Sequence, residues 1–193
     1  MSVPGVTLLL FESLDQQSRG ELAHWLRTFG VSVEAQVDGT ICFKIGDGSV
    51  LAMPDWDGSC EFGLAIGDWD PEPGDDYSQM ERQPVQELSV WARGTEIQTQ
   101  MITGRLVLAL MQRLSAVVDF DGLLGPSPWA PTGMRGEEEA RLAEVHSFVT
   151  SLPGWVCEVG YMTIDGSRWY SHVGDAEFLE AWLRHPAFHL VIQ

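Results

Sequence analysis

The stretch VSVEAQVDGTICFKI, residues 31–45, decides how this chain is read. Apolar and polar residues alternate from Val31 to Val37, Asp38-Gly39 follows, and alternation resumes from Thr40 to Ile45. A period of two marks a half-buried strand, and Asp-Gly between two such runs marks a tight hairpin turn. The segment predicts a pair of antiparallel strands. On its N-terminal side, Leu22, Trp25, Leu26 and Phe29 recur at helical spacing, with Ser13 or Asp15 as the cap and Gly30 as the C-terminal stop. Val6 to Glu12 before that helix suits a buried strand. On the C-terminal side, Asp47-Gly48 is a second turn, Val50 to Met53 a short apolar run, and Cys60 to Ile66 another strand.

Further out, Asp68 to Pro84 is rich in Pro, Gly and Asp and reads as a mobile loop. Glu87 to Ala92 suits a short strand or the approach to a helix. Ile97 to Ala116 is the strongest helical segment, with Ile102, Leu106, Leu110 and Leu114 stacked on one apolar face. Val117 to Gly122 reads as a strand running into a turn, and 126–136 as a connecting loop. Glu137, Glu138 and Glu139 open a helix whose core face is Leu142, Val145, Val149 and Leu152, and Pro153-Gly154 stops it. Trp155 to Ile164 and Arg168 to Val173 form a hairpin across Asp165-Gly166. Asp175 caps a short helix carrying Phe178, Leu179, Trp182 and Leu183, and Phe188 to Ile192 closes the chain as a strand. Mixed elements dominated by hairpins predict an α+β fold, a largely antiparallel sheet with helices packed on it. One domain over 1–193 is expected, with candidate halves 1–125 and 137–193 joined by the Pro/Gly-rich 126–136. Helix, glycine, strand, turn and strand occur in both halves, each with a mid-strand glutamate, Glu34 and Glu158.

Charge narrows the partners. Of 193 residues, 11 are basic and 28 acidic, for a formal net charge of −17, and Lys44 is the sole lysine. Such a surface repels nucleic acid and anionic lipid, since phosphate binding runs on Lys and Arg. It attracts a basic protein. The 3 cysteines, Cys42, Cys60 and Cys157, are odd in number and widely spaced, which suits free thiols in a reducing compartment. No signal peptide is visible and Val6 to Phe11 is far too short to span a membrane, so a cytoplasmic location is expected.

The acidic stretch from Ile45 to Glu81 carries no Lys or Arg and holds two Asp-Trp-Asp triplets. Carboxylates beside an aromatic ring suit a protein interface, where the ring supplies buried area and the acids pair with Arg or Lys. The candidate partner-binding residues are Asp55, Trp56, Asp57, Asp68, Trp69, Asp70, Glu72, Asp75 and Asp76. The other reading of the same stretch is a solvated acidic face whose tryptophans turn inward. The calcium-loop spacing is missing, with Pro71 and Pro73 between Asp68, Asp70 and Glu72. His24, His146, His172, His185 and His189 show no zinc spacing and read as surface or capping residues. No nucleophile elbow and no phosphate loop is present. Asp119 and Asp121 end a strand, where a turn role outweighs general-base chemistry. No cofactor, metal site or catalytic residue is expected.

The helix around Leu106 to Leu114 running into Val117-Val118-Asp119-Phe120-Asp121-Gly122 resembles a domain-of-unknown-function family of actinobacteria. The opening Leu8-Leu9-Leu10-Phe11-Glu12, with Trp25-Leu26 in the next helix, supports the same resemblance. More distantly the chain is similar to small acidic immunity proteins of polymorphic toxin systems. Charge and resemblance together lead to an acidic protein-binding module, an immunity-type protein that occludes the active site of a cognate basic toxin. The alternatives are a scaffold or regulatory subunit of a larger complex, or an enzyme built from Asp119, Asp121 and a histidine.

Overall fold

The alternation in residues 31–45 becomes the hairpin of β2 (Gly30–Ala35) and β3 (Ile41–Ile45) in the computed structural model, which describes residues 5–58, 60–121, 123–124, 135–162, 166 and 168–190. Before it come β1 (Gly5–Leu10) and α1 (Gln16–Leu26). After it come β4 (Glu61–Asp68), β5 (Gln86–Ala92), α2 (Ile97–Met111), β6 (Ala116–Asp119), α3 (Arg135–Val149), β7 (Val156–Met162), β8 (Arg168–Gly174) and α4 (Ala176–Leu183). The strands form one 8-stranded sheet in the order β2-β3-β4-β5-β1-β6-β8-β7. Every pairing is antiparallel. The fold is α+β, and strands from both candidate halves share the sheet, meeting where β6 pairs with β8.

The period of two sorts side chains to two faces. Leu8 and Leu10 of β1, Leu88 and Val90 of β5, Phe62 and Leu64 of β4, and Phe43 and Ile45 of β3 meet Leu22, Leu26, Ile102, Leu106, Leu110, Phe178 and Trp182 in the main core beneath the helices. On the opposite face, Leu9, Val117, Cys157, Val159 and Val173 make a smaller cluster that takes Met80 from the β4–β5 connection.

Several boundaries differ from expectation. Asp15, not Ser13, caps α1, its Oδ1 accepting the Ser18 N–H at 2.8 Å. The helix stops at Leu26, and Gly30 opens β2 instead of capping α1. A Cβ there would lie 2.7 Å from the Leu26 carbonyl oxygen, so close approach explains the glycine. Val50 to Met53 straddles a 3₁₀ turn, Gly48–Leu51, because Asp47 takes the Ser49 N–H at 2.9 Å and winds the chain. Asp175 caps α4 as expected, accepting from Phe178 N–H at 2.8 Å. The closing strand is absent through Leu190. Phe188 and Leu190 are buried in the helix-side core, and the Leu190 N–H donates to Gln100 Oε1 at 2.7 Å in place of a sheet partner. Residues 191–192 of that segment, Asp165 of the predicted turn and 126–134 of the connecting loop lie outside the described residues.

Candidate functional site

The β4–β5 connection is closed at its base by the pairing of Asp68 with Gln86 and drapes across the second face. A loop of this length whose ends meet packs on its own side chains. Trp69 and Tyr77 meet edge to face at 5.3 Å, Met80 is buried, and Arg82 lies 4.9 Å over the Phe11 ring. The Asp76 N–H donates to Gly160 O at 2.9 Å, and the Val85 N–H donates to Leu10 O at 2.8 Å. The loop expected to be mobile is thus pinned at its far turn, its middle and its return. Gly74, at φ +112°, makes the far turn, where Asp75 and Glu72 exchange bonds: Asp75 N–H to Glu72 O at 3.1 Å and Glu72 N–H to Asp75 Oδ2 at 3.2 Å.

Beneath the loop lies Asp119, only 8% exposed. Its Oδ1 accepts the Asp121 N–H at 2.9 Å and the Ser171 hydroxyl at 3.1 Å, and its Oδ2 accepts the Tyr77 hydroxyl at 3.1 Å. The expected turn role holds: the Asp119 carboxyl stabilises Asp121, a non-glycine residue at φ +43°. Burial pushes the Asp119 carboxyl up from the usual carboxylate range, against the pull of its three donors. Burial likewise raises Asp75, helped by the Glu72 and Asp121 charges. Tyr77 is raised by burial and by Asp119, and Tyr161 by burial, Asp121 and Asp75. Among the described residues no arginine or lysine forms an ion pair with Asp75, Asp119 or Asp121. The far turn is an acidic locus with an aromatic lining.

The predicted binding residues separate into groups. Asp55, Asp57, Asp68, Asp70, Glu72 and Asp76 are exposed and Asp75 is half-buried. Trp56 is buried, its indole N–H donating to Ile45 O at 2.9 Å beside the Phe62 ring, and Trp69 is half-buried on Tyr77. The tryptophans turn inward, the second of the two readings of that stretch. The triplets also lie at opposite ends of β4, which at roughly 3.4 Å per residue keeps them on the order of 24 Å apart. Strand register places Asp68 beside Gln86 and Leu10, where β1 ends, and Glu61, which follows Asp55–Asp57, toward Gly5, where β1 begins. Asp121 and the far turn lie toward that same beginning of β1.

Sequence reasoning missed Tyr77, Tyr161 and Ser171 as parts of this locus. Tyr77 and Ser171 stand 42 and 52 residues from Asp119, and no local pattern links them. It also misplaced His172, which is 1% exposed on the helix side of the sheet rather than at the surface. Asp119 pairs with Val173 and faces the opposite side, so Asp119, Asp121 and His172 do not converge on one site. Burial pushes the Cys157 thiol up to about 11, which keeps it a thiol at neutral pH. Among the described residues, no group of three His, Cys, Asp or Glu is placed to hold a metal ion, and no helix is long and apolar enough to cross a membrane.

A family model described as a family of unknown function (DUF6368) matches residues 2–192. The chain belongs to the DUF6368 family. No curated protein and no solved structure matches it. The match spans the sheet, the helices and the pinned loop of this DUF6368 chain alike, so the far turn and Asp119 both fall inside the family's extent.

Proposed function

We propose that this chain is an acidic protein-binding module that receives a basic protein partner at the far turn of the β4–β5 loop, through Glu72, Asp75, Asp76 and Asp121. The observation that supports it most is the placement of half-buried Asp75 at the far turn, where burial first and the Glu72 and Asp121 charges after it raise its carboxyl, and where no Arg or Lys pairs with it among the described residues. A guanidinium or ammonium group arriving there relieves that repulsion and meets the Tyr77 and Tyr161 rings nearby. The loop is pinned before the partner arrives, so little ordering cost attaches to binding. Asp55 and Asp57, at the same end of the sheet, extend the negative surface, and a net charge of −17 steers a basic partner toward it. The specific form consistent with charge and sequence resemblance is an immunity-type protein that occludes the basic active-site groove of a cognate toxin. Asp68 and Asp70 face the other end and take no part.

The test starts with the tagged chain and the partner it retrieves at low salt from the producing cell. Calorimetry of the purified pair then compares three variants: Glu72→Gln with Asp75→Asn and Asp121→Asn; Asp55→Asn with Asp57→Asn; and Asp68→Asn with Asp70→Asn. The first is expected to weaken binding by about a thousandfold, since it removes three charge-assisted contacts that each carry on the order of 1.5 kcal/mol. The second has a smaller effect and the third none. Retrieval of no basic partner, or equal losses in the first and third variants, removes this reading.

A further inference from the structure

A second cluster of ionisable groups lies on the helix side of the sheet, away from the far turn. Glu158 of β7 and His172 of β8 are paired neighbours on the two strands, and His146 reaches them from α3. The His172 ring is 1% exposed, and among the described residues neither ring nitrogen has a hydrogen-bond partner. An orphaned buried polar group is rare enough in a native fold to need a reason. Its Nε2 stands 3.7 Å from Glu158 Oε1, too long for a hydrogen bond, while the same oxygen takes His146 Nδ1 at 3.0 Å. A carboxylate only accepts, so His146 Nδ1 carries the hydrogen.

We infer that His146, Glu158 and His172 form an acid-sensitive latch, which docks α3 on the sheet at neutral pH and releases it when His172 takes up a proton. The geometry gives the reason. One carboxylate oxygen serves two imidazoles, and at neutral pH it is committed to His146. A proton on His172 creates a buried cation whose near counter-charge, among the described residues, is that oxygen. Glu158 then turns to His172 and leaves His146, or the His172 ring leaves its site. Among the described residues, the charged groups acting on His172 are Glu158 from β7 and His146 from α3. Just after β6, Phe120 contributes a backbone N–H to the His172 carbonyl at 2.9 Å. Burial holds His172 below the usual histidine range, against the attraction of Glu158 and with the repulsion of His146. A histidine lowered by folding leaves stability at its full value above about 6.5 and removes it as pH falls below that value.

The helix is suited to release. Of its residues from Val145 to Val149, Val149 alone is fully buried. Val145 and Phe148 are partly buried against the core, Phe148 meeting the Trp182 ring at 5.5 Å. Among the described residues, the side-chain hydrogen bond that joins α3 to β7 is that from His146 to Glu158.

Backbone hydrogen exchange on the full chain tests the latch at about pH 7.5 and about pH 5.5, the range in which histidine titrates, after correction for intrinsic exchange. Protection in 142–149 is expected to fall about tenfold at the acid value while β1, β4 and β5 hold theirs. His172→Gln, which stays neutral, is expected to remove that pH dependence, and His146→Ala to lower protection of α3 at both pH values. An undiminished acid response in His172→Gln overturns the latch. If that variant does not fold, NMR of the wild-type chain decides. The His172 ring and the α3 amides should then titrate with one midpoint below 6.5, and separate midpoints, or α3 amides that do not respond, overturn it.

Discussion

Asp75 and Asp119 carry carboxyls that the fold holds toward their protonated form. A carboxyl raised by folding contributes stability that is present below its unfolded value, about 3.8, and is lost as pH rises through the folded value. At neutral pH Asp75 therefore works against the fold. Asp75→Asn removes the charge and keeps an oxygen to accept the Glu72 N–H. It is expected to raise the thermal midpoint at about pH 7, with the gain vanishing toward about pH 3 where the wild-type carboxyl is neutral, and to weaken partner binding. A lower midpoint at neutral pH in a scanning-calorimetry comparison would falsify the role given to Asp75. Composition already showed a surplus of acid, and Asp119 two residues before Asp121 already suggested a turn. What the sequence concealed is that Tyr77 and Ser171 reach the same carboxyl from strands and loops far along the chain. The Trp56 and Trp69 rings turned inward for the ordinary reason that a large apolar surface leaves water when a core is near.

At the scale of elements, periodicity located the hairpins well; β3 has a buried face of Ile41, Phe43 and Ile45, whereas its partner β2 buries no residue and shifts register between Val31 and Glu34. Ends were harder. The 188–192 segment has the apolar content of a strand, yet Phe188 packs on the Trp182 ring at 5.8 Å and the chain stays with the helices. The β4–β5 loop has the composition of a mobile segment, yet it crosses the second apolar cluster and is held by it. Its middle anchor is the hydroxyl of Tyr77 on Asp119. Tyr77→Phe deletes that hydroxyl while leaving the ring on Trp69. The expected cost is about 1 kcal/mol of stability, together with faster cleavage at Arg82 in limited trypsin digestion, because the return limb loosens first. Unchanged cleavage kinetics would show that the backbone bonds of Asp76 and Val85 hold the loop unaided. The glutamates of the two helix–hairpin repeats also part company here. Glu34 pairs with Cys42 on the face away from the helices, whereas Glu158 faces α3.

The whole molecule presents acids at both ends of one sheet, and at the end where β1 begins they stand beside the buried Asp119 and the Tyr77 and Tyr161 rings. Charge counting could not separate the ends, because a strand between two acidic segments looks in sequence like an interruption, not a distance. The family match shows that the architecture is shared along nearly the entire chain.

The central place of β1 also orders events in time. Its neighbours β5 and β6 begin at Gln86 and Ala116, so β1 has both of its edges paired only after β6 has been made. Until then Leu8, Leu9 and Leu10, which end up almost fully buried, face water or a chaperone. Contacts this distant along the chain make for slow, late and cooperative assembly. A fragment ending at Arg93 holds β1 to β5 but lacks α2 to cover Leu8 and Leu10 and β6 to close the free edge of β1. It is expected to aggregate or to bind a hydrophobic dye where the full chain does not. A soluble, cooperatively melting fragment would mean that the nascent chain reaches a stable resting point halfway.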